Sequence, residues 1–570
     1  MTTSIGKIGF NETIFSDFVS YDTHSIIESA YINIHNDPER KVGDIIENIN
    51  DEFGILYIKV AKTDIIKTPL HLLFTIDITK SMYGSKFNSL KNTMLNIIDY
   101  LAEKSENLEI YITIHTFNSS VDVLLDNTKI TNENKHFIQQ TIKKIVVSGC
   151  TDIGCALNAA AECLYQYKQI NPNHKIGHIF MTDGQPTTGI TDHTTLSSFI
   201  DECYMNIIIG FGEDHNAKLL LKMCEDSRNT EYHFIENFKN TGFVYGEIIH
   251  KFLYPAIENI TIRVDYGLIY DWRNNNWVKS IQDNIFISDV EKTYHIRTEY
   301  PNMVNAKLYG NAYSIVNNND KYTELLDIIL PLPSLMDKTG ENILFEDLSN
   351  YIFRQRVQEL LYQAITLVGN NIIDIYNFDF EPYKNEINLF FKKIRKYMRE
   401  TNLLEDPFMI NLCDDIKVIY SKLNSKSSIM YLSARQSSQG RQQSYTVNIE
   451  ENDDNRDSDD NLLLKLKIPK INYLSDSNYD DHDDTFDNLI DDDEGSHHQI
   501  NKTFKDSNNI INIEDALKQL DSDDDDYELI KPKIIKEDDD DIKKYKSSMR
   551  NTSCYHTKTI LETMNKINKK

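Results

Sequence analysis

One stretch, LLFTIDITKS at residues 72–81, constrains the fold of this chain more than any other. Its apolar run stops abruptly at Asp77, offers hydroxyls at Thr79 and Ser81, and gives way to KFNSLKNTMLNIIDYL, whose apolar residues recur at helical spacing. A strand, a polar loop and a helix start thus gather three oxygen side chains within residues 77–81. Alternate loop residues can turn toward one point, and hard cations such as Mg²⁺ take oxygen ligands in near-octahedral array. The loop reads as part of a metal site. An Asp followed by hydroxyls at a strand end also has a plainer reading, a helix N-cap.

Two later stretches bear on that choice. GCTDIGCALNAAAECL, residues 149–164, sets Thr151 just ahead of an alanine-rich helix, and IGHIFMTDGQPTTG, residues 176–189, ends a hydrophobic strand at Asp183-Gly184. Between 70 and 253 strands and helices alternate. Leu90, Met94, Ile97, Ile98 and Leu101 should pack a first helix on a sheet, LEIYITIHTF (108–117) reads as a buried strand, and VDVLL as its antiparallel edge partner. MNIIIGFG, AKLLLKMCEDS, EYHFIE and FVYGEIIHKFL continue the alternation. This predicts a doubly wound α/β domain, whose ligands bind at the strand-to-helix edge where all three motifs fall. His115, inside the second strand, reads as a structural histidine.

In these motifs the chain resembles the von Willebrand factor type A (vWA) family. That family's metal-ion-dependent adhesion site combines an Asp-x-Ser-x-Ser loop, a distant Thr, and an Asp in a Thr/Ser-Asp-Gly loop. The resemblance implies Asp77, Thr79, Ser81, Thr151 and Asp183 as the metal-site residues, with one Mg²⁺ or Mn²⁺ per domain. Thr79 stands where the family usually has Ser and keeps the hydroxyl. A cation held by neutral hydroxyls and two carboxylates is left electron-poor, ready to accept an Asp or Glu from a protein partner. The expected role is therefore non-enzymatic protein binding. A scaffold with an unused site is one alternative. A Mg²⁺-dependent phosphatase of the haloacid-dehalogenase type is another, but Thr79 occupies the place of its acid/base Asp.

The flanks read differently. FGILYIKVAK, residues 53–62, alternates like a strand, and short strands separated by Asn, Asp and Gly fill about 255–335, the pattern of a β-sandwich. If the strand at 53–62 pairs into it, the vWA-like segment is an insertion within one sandwich. Residues 345–435 turn helical, with Phe353, Val357, Leu360, Leu361 and Ile365 on one face. The expected divisions are 1–69, 70–253, 254–340, 341–445 and a tail at 446–570. In order and composition the later regions resemble a vWA branch that includes plant RING-finger vWA ubiquitin ligases and inter-α-trypsin-inhibitor-like relatives. No cysteine precedes Cys150, which speaks against ligase activity.

Residues 450–570 hold 32 acidic and 18 basic side chains, a net of −14, half of the whole chain's −28. Runs such as Asp523–Asp526, with few apolar residues to bury, predict a disordered acidic tail. Ser458 and Ser522 lie among acids as candidate phosphorylation sites, and LLLKLKIPKI (462–471) is a candidate docking segment. Such a charge balance disfavours nucleic acid and anionic membranes as partners. The seven cysteines are scattered and odd in number, the N-terminus lacks a signal-peptide core, and no run reaches the length of a membrane span. These features together suggest an intracellular protein.

Overall fold

Strands β1 (Ile27–Ile34) and β2 (Glu52–Val60) precede β3 (Leu70–Asp77), which is buried at every position. An unbroken apolar run takes this form when both faces of its sheet are covered. The structure, a computed structural model, describes residues 26–443 and 554–569, apart from 38, 47–50, 214, 226, 228, 237–240, 313–322, 330–346, 372–374, 376 and 426.

Five further strands complete the sheet around β3: β4 (Ile110–Phe117), β5 (Val121–Lys129), β6 (Lys175–Thr182), β7 (Met205–Phe211) and β8 (Thr230–Ile235). The order is β5-β4-β3-β6-β7-β8. Every pairing is parallel except β4 with β5, the antiparallel edge. Helices α1 (Ser85–Lys104), α2 (Lys135–Lys143), α3 (Ile153–Ile170), α4 (Ala217–Glu225) and α5 (Thr241–Leu253) flank it. Leu90, Met94, Ile97, Ile98 and Leu101 of α1 are buried together, the face their spacing predicts.

After α5 come β9 (Pro255–Asp265), β10 (Leu268–Asp271), β11 (Asn276–Val278), β12 (Ser280–Ile287), β13 (Glu291–Thr298), β14 (Asn305–Ala312) and β15 (Thr323–Ile329). They form two antiparallel sheets, β1-β2-β13-β10-β11 and β12-β9-β14-β15. Strand β2 pairs with both β1 and β13, so the parallel sheet is inserted between strands of one sandwich. The alternation in β2 explains its place. Leu56, Ile58 and Val60 enter the sandwich core, whereas Phe53 and Ile55 join a third, helical core.

That core is built by α6 (Ser349–Asn370), α7 (Glu381–Glu400), α8 (Pro407–Lys422) and α9 (Ser428–Arg441). Arg354 of α6 is fully buried and ties the layers together, its two terminal nitrogens donating to the carbonyls of Thr293 on β13 (3.0 Å) and Gln439 on α9 (2.6 Å).

The end of the chain departs from the expected tail. Residues 558–567 form α10 (Lys558–Ile567), which packs against α5 and α1. Its buried residues Ile560, Thr563, Met564 and Ile567 follow helical spacing, a local pattern that a tail composition dominated by aspartate conceals. The remainder of the tail, including Ser458, Ser522, residues 462–471 and the aspartate runs, lies outside the described residues, as do residues 1–25. Among the described residues, no helix is long and apolar enough to cross a membrane. All seven cysteines are free thiols.

Replacing Arg354 by Leu would remove two hydrogen bonds from a charged donor, each worth about 1.5–3 kcal/mol, although the Thr293 carbonyl keeps the Gln442 side-chain amide at 3.1 Å. Urea unfolding of Arg354→Leu should therefore show a loss of more than about 2 kcal/mol; an unchanged midpoint would mean that the layers do not depend on this side chain.

Candidate metal centre

Strands β3 and β6 lie side by side and parallel, so their C-terminal ends deliver Asp77 and Asp183 to the same edge of the sheet. Both residues are fully buried. The Asp77 carboxylate accepts from the Thr79 backbone N–H at Oδ1 (2.8 Å) and from the Thr182 hydroxyl at Oδ2 (2.6 Å). This is a loop-closing turn, and Asp77 caps no helix. The side-chain cap belongs instead to Asp152, which accepts from the Cys155 N–H (2.9 Å) at the start of α3.

After Asp77 the chain makes a single tight turn over Lys80–Met82 before α1 begins at Ser85. The turn aims two hydroxyls along one line. Thr79 Oγ1 lies 2.9 Å from Ser81 Oγ, and the Ser81 hydroxyl donates to Asp183 Oδ1 at 2.7 Å. The other oxygen of Asp183 accepts from Lys86 Nζ at 2.9 Å. Thr151 reaches the same place from a separate loop. The Ser148 N–H donates to the Ile78 carbonyl (2.6 Å), and the Thr151 carbonyl accepts from the N–H groups of Thr187 (2.9 Å) and Thr188 (3.2 Å). A methyl on Gly184 would lie 3.1 Å from Thr151 Oγ1 and 3.7 Å from Ser81 Oγ, which places both hydroxyls around the Asp183-Gly184 turn. The structure thus brings all five sequence-predicted residues to one edge.

Burial pushes the Asp77 carboxyl up to about 6, against the opposing pull of the Thr182 and Thr79 hydrogen bonds, with the neighbouring Asp183 charge adding to the rise. The donors are hard oxygens, two carboxylates and three hydroxyls, and this chemistry fits Mg²⁺ or Mn²⁺. Among the described residues, no group of three or more His, Cys, Asp or Glu side chains is placed to hold a metal, so softer ligation has no counterpart here.

Two contributors escaped sequence reasoning. Thr182, which holds Asp77, directly precedes Asp183 and carries a hydroxyl at a strand terminus. Lys86, in the first turn of α1, is the counter-ion of Asp183, and a lone Lys there gives no signal by itself. Tyr83, 80% exposed on the turn beside these residues, is a third feature visible only in the fold.

A Rossmann-like sheet with an oxygen-donor cluster at its C-terminal edge defines a class of ligand-binding α/β domain. Residues 71–247 match the family described as von Willebrand factor type A domain. It is 26% identical to inter-alpha-trypsin inhibitor heavy chain H6 of Homo sapiens over 40% of this chain and 17% of that protein. It is 22% identical to heavy chain H2 of Mesocricetus auratus over 45% of this chain and 27% of that one. The chain therefore matches only about a quarter or less of the length of these relatives. Among solved structures it is similar to the ArnB paralog VWA2 from Sulfolobus acidocaldarius, with 16% identity, a TM-score of 0.43, and coverage of 73% of this chain and 99% of that one.

Two measurements separate the roles in this cluster. Asp152→Ala should cost about 1 kcal/mol of stability through the lost cap, with divalent-ion binding retained; loss of ion binding by that variant would make Asp152 a ligand. For Asp77, a folded pKa of about 6 against an ordinary 3.8 means that the folded state takes up the proton first. In chelator, the stability of the protein relative to Asp77→Asn should rise as pH falls from about 6 toward about 4 and be flat above that window. Paired urea titrations at pH 7 and pH 4.5 check the sign; a constant difference would contradict it.

Proposed function

We propose that the vWA domain is a non-enzymatic, divalent-metal-dependent protein-binding module. Asp77, Thr79, Ser81, Thr151 and Asp183 would hold one Mg²⁺ or Mn²⁺, and a partner protein would supply an Asp or Glu carboxylate to it. The observation that carries this reading is the convergence of the five oxygen-bearing side chains from three separate loops on the Asp183-Gly184 turn. Bound there, the cation supplies Lewis acidity toward an anionic ligand.

The residues of the chain do the rest. Thr182 and the Thr79 N–H fix the Asp77 carboxylate, Ser81 ties the first loop to Asp183, and Lys86 balances charge. Two carboxylates and one ammonium leave the cluster at about −1, so a divalent ion would bring it to about +1 and favour an anionic partner. Exposed Tyr83 offers an aromatic surface beside that point, suited to the apolar stem of a flanking residue. A role in an intracellular compartment accords with seven free thiols, two of them, Cys150 and Cys203, exposed.

A second reading has one specific observation in its favour. The ion pair between Lys86 and Asp183 satisfies a buried carboxylate without any metal, as a scaffold with an unused site would require. The phosphatase reading is disfavoured by Thr79, which stands where that class carries its acid/base Asp.

Calorimetric titration of the full chain with Mg²⁺ and Mn²⁺ decides between the first two. We expect saturable binding near one ion per chain, abolished in Asp77→Ala and Asp183→Ala with the fold retained. Lys86→Met should bind the ion about tenfold more tightly, since it removes a competing cation worth about 1.4 kcal/mol at this distance. Absence of binding by the unsubstituted chain together with tight binding by Lys86→Met would favour the scaffold.

A further inference from the structure

The last helix sits on the protein in an unusual way. A methyl group on Gly246 of α5 would lie 2.5 Å from the Cα of Met564, and one on Gly242 would lie 2.5 Å from the Cα of Asn568. The main chain of the C-terminal segment therefore lies directly on α5, at a separation no larger residue permits at either position. The two glycines, one helical turn apart, form the floor of a seat whose walls are polar. Tyr100 of α1 and His250 of α5 both meet the Thr563 hydroxyl, at 3.0 and 3.1 Å. Asn96 of α1 donates to the carbonyls of Ile567 and Lys569, at 2.9 and 2.8 Å, closing the C-terminal end of α10. Lys566 pairs with Glu103 at 2.6 Å.

The same ten residues reach two cores. Ile567 enters the core of the parallel sheet, and Ile560 and Met564 enter that of the sandwich. Just before the helix, the Tyr555 hydroxyl donates to Gln439 on α9 at 2.7 Å. Met205 of β7 and Phe243 of α5 also pack against the sandwich core, and α10 adds one or two buried side chains to each core. A helix of ten residues is too short to persist alone in water, so this one forms against its seat. It also reaches that seat from the far end of residues 444–553, which separate Tyr555 from Gln443 in sequence.

We propose that the seat formed by α5, α1 and the sandwich is a docking site for an amphipathic helix, and that the chain's own segment 554–569 occupies it as a reversible, tethered ligand. The peptide connection supplies a high effective concentration and no part of the recognition. Recognition resides in the Ile560, Thr563, Met564 and Ile567 face, in the glycine floor, and in the hydrogen bonds of Thr563 and Asn96. Any other helix reaching this surface would have to displace the resident one. This inference is independent of the metal-binding reading.

The test uses the full chain with a specific protease site inserted between residues 467 and 546. After cleavage, the C-terminal fragment should remain bound on size exclusion at micromolar concentration, with the far-UV spectrum unchanged. A fluorescent peptide of residues 547–570 should then exchange into the seat, with saturable polarisation reversed by unlabelled peptide. The same peptide carrying Met564→Asp should bind at least about tenfold more weakly, since it places a charge in an apolar core. Gly246→Leu in the body should release the fragment once the link is cut. Loss of fold on cleavage, a fragment that dissociates at micromolar concentration, or one retained without any exchange would each overturn the proposal. Equal binding by the Met564→Asp peptide would overturn it as well, and this arm holds even if Gly246→Leu fails to fold.

Discussion

Two carboxylates buried side by side at the ends of β3 and β6 are the constraint on which the candidate metal-site edge depends. Burying an unpaired carboxylate costs several kcal/mol, and hydrogen bonds to a charged group return about 1.5–3 kcal/mol each. Asp77 has two such donors and its pKa still rises to about 6, so desolvation outweighs them. Asp183 is held by one hydroxyl and one ammonium. The loops bearing Thr79, Ser81, Lys86 and Thr182 are shaped by the need to face these two groups. A divalent cation at the same point would relieve what the donors leave uncompensated, which is the physical sense of calling the cluster a metal site.

Much of this was legible in the sequence because the relevant signals are local. The buried run ending at Asp77 could only be a central strand, and parallel strands of alternating α/β order necessarily bring their C-terminal ends to one edge. Asp77, Asp183 and Thr151 could therefore be placed together before any contact was seen. Lys86 could not, because an ion pair between the first turn of α1 and the distant end of β6 leaves no trace in spacing. The N-cap reading that stood as an alternative for Asp77 needed geometry for a related reason: Asp77 and Asp152 both precede helices and hydroxyl-rich turns, and only the structure shows that Asp152 meets the N–H of a helix while Asp77 closes a loop.

The flanking architecture shows the same division. Alternation in β2 announced a strand, and its pairing with β13 makes the parallel sheet an insertion in a sandwich. The two faces of β2 then serve different cores, which alternation alone cannot reveal. At the other end, the average composition of the tail outweighed a short helical pattern in ILETMNKI. Four spaced residues suffice to seat a helix when a glycine floor receives them, and that floor lies in α5, more than three hundred residues away in sequence.

The most direct test of the central claim is the position of the ion itself. Crystals of the full chain soaked in Mn²⁺ should show one anomalous difference peak at the turn formed by Asp77, Ser81, Thr151 and Asp183, and Lys86→Met crystals should show it at lower Mn²⁺ concentration. A peak confined to other surfaces, or a bare loop in both crystals at saturating Mn²⁺, would contradict the account.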